Sequence, residues 1–161
     1  MKLAFELVSY CCVFFLLVKL GAGNSGINAL YFYPQEYQQI AYERAVADQE
    51  EVEKKRKTFM TVFLTVLTVL LVGIIHFNRP ESFRKAYLQG LLFLEVMNWF
   101  DSIVIVRLWV GHSNLWKIRG VEGIPYVKPW KRILRERLIL SGIWIIGAVL
   151  VAALVMITGG M

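Results

Sequence analysis

Glu95, Asn98 and Asp101 stand three residues apart in an otherwise apolar stretch from Ala86 to His112, which also carries Arg107. Steps of three residues keep the three side chains on neighbouring positions of one helical face, drifting by roughly 60° from first to last. Ionisable groups inside a membrane helix are costly unless they meet a partner, a cavity or a pathway. Glu95, Asn98, Asp101 and Arg107 are therefore the candidate ligand-binding set.

Three kinds of chemistry fit these residue types. Acids at bilayer depth can bind a cation, carry a proton or recognise an amine. Alternatively, Asp101 and His112 can serve as acid and base in an enzyme working at the membrane surface, with nearby cations holding an anionic lipid or metabolite. The third is structural: polar groups that satisfy one another between packed helices. The cations for an interfacial anion or lipid contact are Lys117, Arg119, Lys128, Lys131 and Arg132, which are interleaved with Trp116, Tyr126 and Trp130. That mixture suits a headgroup region.

Other chemistries lack their motifs. The chain has no phosphate-binding loop, dinucleotide fingerprint, zinc-protease motif or nucleophile elbow. Glu95, Asp101 and His112 are permissible metal ligands, yet they form no compact ligand motif, so neither a metal nor a cofactor is assigned. The net charge of +6 sits in loops beside apolar blocks, where it orients a membrane protein and meets anionic headgroups, so nucleic acid is not an expected partner. Cys11 and Cys12 are adjacent and have no second pair, which makes them packing residues.

The elements that must position these groups follow from the apolar blocks, since 57% of the 161 residues are hydrophobic and only 19% charged. Four blocks predict an all-α, four-helix polytopic transmembrane bundle with spans at 3–20, 58–77, 86–108 and 138–157. The first is read as a mature helix and not a signal peptide, because Glu6 breaks its early part and Lys19 lies at its end. Residues 35–57 are strongly helix-forming and run into the second span without a Gly or Pro break. They predict one continuous helix from about Gln35 to Phe77, a charged cytoplasmic extension of that span. Residues 109–130 form the interfacial loop.

Six Lys or Arg lie between Lys19 and Lys57 and eight between Arg107 and Arg137. The positive-inside bias puts loops 21–57 and 109–137 in the cytoplasm and both termini outside, in what is expected to be a prokaryotic cytoplasmic membrane. The expected function is a small transport or membrane-complex subunit with a polar intramembrane site on helix three, acting on a cation or proton. The alternatives are an interfacial enzyme for a lipid or anionic metabolite and a non-catalytic assembly protein. Membrane lipid is an expected partner, as is a second copy of the chain or another membrane subunit that shields the acids.

Overall fold

The computed structural model describes residues 2–159, and every regular element among them is helical. Helix α1 spans Lys2–Ala22 and leads through a 3-10 segment, Gly26–Phe32, into the short α2, Gln35–Glu43. Helix α3 spans Gln49–Phe77. Helix α4, Phe83–Phe100, passes without interruption into a π-helical continuation, Asp101–Val110, and α5 spans Trp130–Gly159. Helices α1, α3 and α5 are each long and apolar enough to cross a membrane. Only 22%, 17% and 22% of their most apolar stretches are buried inside the protein, which leaves broad apolar faces directed outward.

Helix α4 packs chiefly against α5, and small residues set how closely. A methyl group at Gly90 would stand 3.4 Å from a Val151 methyl and 3.6 Å from Ile75 Cδ1, already at contact distance. Ala86, Ala148 and Ala152 are wholly buried along the same helices. Aromatic edges tie α1 in. Tyr10 meets Phe93 of α4 at 5.6 Å and Phe14 meets Phe63 of α3 at 5.3 Å, both at the steep angles that ring quadrupoles favour. At one end of the packed helices Asn78 donates to the Glu6 carboxylate at 2.9 Å and to Gln89 Oε1 at 3.3 Å, joining the start of α1 to the α3–α4 turn.

The opposite end corrects the expected continuous helix over residues 35–77. The chain stops at Glu43, turns and restarts at Gln49. Ala45 occupies the left-handed region at φ 55°, and Val46 N–H donates to the Ala41 carbonyl at 2.9 Å, a C-terminal cap made without glycine. Asp48 then caps α3 by accepting from Glu51 N–H at 2.8 Å, with Glu50 and Glu51 in the first turn. Uniform helix propensity hid this break. Tertiary packing decided it, because a straight helix would carry Tyr37 and Ala41 away from the groups that bury them.

Helix α2 instead folds back over the 116–126 loop. The Tyr33 hydroxyl donates to the Trp116 carbonyl at 2.7 Å, and Tyr33 stacks on Tyr37 at 4.9 Å, with Tyr126 and Trp116 packed beside them. Burial, with Tyr37 and Tyr126 alongside, pushes the Tyr33 phenol above its usual range. Gly26 permits this closure, since any Cβ there would strike the Tyr33 hydroxyl and crowd the Leu115 carbonyl. The residue 26–48 segment and the 116–126 loop thus form a folded cap. Only residues 49–57 keep the exposed, salt-bridged character of a projecting helix, through Glu51–Lys55 and Glu53–Arg56.

Ala45→Gly tests the break by its sign. Relief of the left-handed residue should stabilise the protein by about 1 kcal/mol, whereas glycine inside a continuous helix would destabilise it by about 1 kcal/mol. Thermal unfolding in detergent reads the difference.

Candidate functional site

Three of the four expected ligand-binding residues come together, and the group that organises them lies on α5. Arg137 forms an ion pair with Asp101 through Nη2 and Oδ2, and its Nη1 donates to Asn98 Oδ1 at 3.3 Å. Asn98 Nδ2 donates to the Arg137 carbonyl at 3.2 Å and to Ser141 Oγ at 3.1 Å. Ser141 Oγ in turn donates to Glu95 Oε2 at 2.7 Å. Glu95, Asn98 and Asp101 therefore read along α5 as Ser141, then both residues, then Arg137. Helical repeats on each side keep the two rows in register.

Asn98 is 1% exposed, and the side chains of Asp101 and Arg137 are 20% and 17% exposed, so the seam is largely withdrawn from water. Its position along α5 is as informative as its bonding. Arg137 directly precedes the apolar run at 138–157, and Ser141 is one turn inside it. The acids consequently meet α5 near the loop-side end of its apolar run and not at its middle. The α-helix also gives way to π winding at Asp101, a rare geometry that recurs at functional positions.

The remaining expected residues lie elsewhere. Arg107 is exposed, with its guanidinium 5.7 Å from the Trp130 ring centroid, and does not join the acids. His112 Nδ1 lies 3.0 Å from the Leu108 carbonyl and 3.1 Å from that of Arg107; with its proton on Nδ1 the ring caps the end of the helix. It is not held beside Asp101 as an acid–base partner. Lys117, Arg119 and Lys131 are exposed on the loop side. Lys128 pairs with Glu136 at 2.6 Å, and Arg132 bridges Glu136 at 3.3 Å and Glu36 of α2 at 3.2 Å. The Glu36 carboxyl is held below its usual range, first by a backbone hydrogen bond and then by Arg132. This second charged row fastens the cap to α5.

A cavity of about 650 Å³ connects the seam to the exposed apolar side of the helices. Its wall is apolar along α1, α3 and α5, and it extends on α5 from Ile133 to Leu154, on the order of 30 Å at 1.5 Å per residue. The charged side chains lining it are Asp101, Lys128, Glu136 and Arg137, all gathered toward the cap end. The exposed Phe32, Leu64, Leu150 and Leu154 form part of its lining, so the groove is open sideways. Among the described residues no group of three or more His, Cys, Asp or Glu is placed to hold a metal ion.

Arg137 and Ser141 were absent from the expected site, and a signal for them existed. They stand four residues apart at the head of an apolar run, a step that puts them on one helical face as the three-residue steps do for the acids. No protein-family model matches the chain, nor does any curated protein or solved structure.

Removing Arg137 alone should be costly, because Asp101 then keeps a largely buried charge without its partner: Arg137→Met is expected to destabilise by about 3 kcal/mol. Adding Asp101→Leu should recover most of that loss, since an apolar pair replaces an ion pair well in a poorly solvated site. A double-mutant cycle from thermal unfolding in detergent measures the coupling, and strictly additive effects would exclude it.

Proposed function

We propose that this protein is a small integral membrane protein that binds one amphipathic membrane lipid in its lateral groove, headgroup at the α4–α5 seam and chain along α3 and α5. The carrying observation is a cavity that joins a long apolar wall to a cluster of charged side chains at one end. A pocket for a soluble metabolite needs no apolar trough of that length opening toward hydrocarbon. An ion channel needs charged or strongly polar groups distributed along its course, and here the charged ones are confined to one end, with only Tyr10, Thr68 and Trp144 adding polar atoms farther along.

In the proposed arrangement α4 with its π-helical continuation is the fourth crossing, beside α1, α3 and α5. The cap and the 111–129 loop lie on the cytoplasmic side, where the basic residues of both loops favour them. The headgroup then sits near the cytoplasmic interface, level with the ion pairs, and the chain follows the groove toward the membrane interior. A lipid reaches such a site by lateral diffusion, without crossing the cap.

Cation or proton transport through α4 draws less support. Arg137 already neutralises Asp101, and Glu95 already accepts from Ser141, so neither acid is free to take up a passing ion without breaking the seam. The bound lipid serves either as substrate or as a structural ligand of a larger membrane assembly; in both cases the groove is the recognition element.

Native mass spectrometry of the detergent-purified protein should show one retained lipid per chain. Leu64→Trp, at a half-exposed position on the groove wall, should abolish retention while leaving the unfolding temperature unchanged. Gly147→Leu should also abolish retention, since a Cβ at Gly147 already comes within 3.0 Å of the Trp144 ring and forces it to move, at a cost in unfolding temperature that Leu64→Trp avoids. No retained lipid in the wild type, or equal retention in all three proteins, would overturn the proposal.

A further inference from the structure

We infer that the occupant of the groove is a zwitterionic phospholipid whose headgroup carries a primary ammonium. The inference rests on the groove being a lipid site and adds the chemistry of the headgroup. The charged side chains on the groove wall are two acids and two bases: Asp101 pairs with Arg137, and Glu136 pairs with Lys128 at 2.6 Å while also holding Arg132 at 3.3 Å. The polar end is therefore neutral as a unit but holds both signs of charge in close array.

Each headgroup class disturbs that array differently. A purely anionic headgroup that engages Arg137 or Lys128 competes with Asp101 or Glu136 for the same donors. Displaced from Arg137, Asp101 has no other cation among its described contacts, and an uncompensated charge in a seam about one-fifth exposed is strongly unfavourable; displaced from Lys128, Glu136 keeps only its longer contact to Arg132, which Glu36 already shares. An uncharged headgroup makes no use of the four ions. A zwitterion exchanges partners without loss: its phosphate takes donors from Arg137 and Lys128, while its ammonium donates to Asp101 and Glu136. Every charge remains paired, and every new contact is a charge-assisted hydrogen bond.

The choice of a primary ammonium over a quaternary one follows from the partners. Carboxylates recognise N–H donors, which a trimethylammonium lacks, and quaternary cations are held by open aromatic faces. The rings at the cap end of the wall are engaged with one another: Tyr33 is stacked on Tyr37 at 4.9 Å with an interplanar angle of 21°, Trp116 and Tyr126 pack beside them, and Trp116 is buried. Glu136 is well placed for the ammonium. Its side chain is 42% exposed, and it bridges the groove wall to Arg132 at the cap.

The experiment presents the detergent-purified protein with equal amounts of phosphatidylethanolamine, phosphatidylcholine and phosphatidylglycerol of identical chains, and measures retention by native mass spectrometry. Phosphatidylethanolamine should exceed each of the others by about tenfold, equivalent to about 1.4 kcal/mol. Glu136→Gln, a substitution at a partly solvated position, should fold normally and lose that preference, with phosphatidylglycerol rising to parity as the wall gains net positive charge. Equal or greater retention of phosphatidylglycerol or phosphatidylcholine by the wild type, still abolished by Leu64→Trp, would overturn the headgroup assignment and leave the groove intact as a lipid site. Retention of none of the three, or retention insensitive to Leu64→Trp, would overturn the groove itself.

Discussion

Desolvation of the Asp101–Arg137 pair constrains the way α4 and α5 meet. Neither ion is tolerable alone in a seam only about one-fifth exposed, so the two helices are fixed where guanidinium and carboxylate coincide. Asn98 and Ser141 extend that condition by one turn, because sliding the helices past each other strands several polar atoms together. Apolar packing is less discriminating. Leucine and valine surfaces slide with modest loss, and small residues such as Gly90 and Ala148 permit close approach at more than one offset. Polar pairing supplies the register that packing alone leaves loose.

The same pairing explains the shape of the groove. With α4 committed to α5, the wall between α3 and α5 remains partly open over much of its length, and the large side chains lining it are apolar. Charge is confined to the end where α5 emerges toward the cap. A molecule that matches such a wall has one polar end and a long apolar remainder. The cap adds a second attachment through Glu36, Arg132 and Glu136, which couples the position of α2 to the mouth of the groove.

The all-helical architecture and three of the four expected spans, those in α1, α3 and α5, were legible in the chain because long apolar helices announce themselves by length and composition. The spacing of Glu95, Asn98 and Asp101 likewise identified a real shared face. Their partners were harder to find, since Arg137 read as one more interfacial cation among many, and only the packing of α4 on α5 distinguishes it from Lys131 or Arg135. Arg107 and His112 show the converse. Proximity along the sequence suggested a common pocket, yet rotation of the π-helical segment turns Arg107 to Trp130, and His112 is engaged by the helix end. The break at 44–48 was invisible for a physical reason: its residues are adequate helix formers, and its cause is the aromatic surface of the 116–126 loop, some 80 residues away in sequence.

That separation has a consequence for biogenesis. Tyr33 and Tyr37 cannot be covered until Trp116 and Tyr126 have been synthesised. At typical translation rates the interval is roughly 5–20 s. During it the α2 segment presents an uncovered aromatic face while the later helices do not yet exist. The charged start of α3, with its exposed Glu51–Lys55 and Glu53–Arg56 pairs, follows that face directly in the chain, and charged flanks of this kind lower the aggregation tendency of an uncovered aromatic segment.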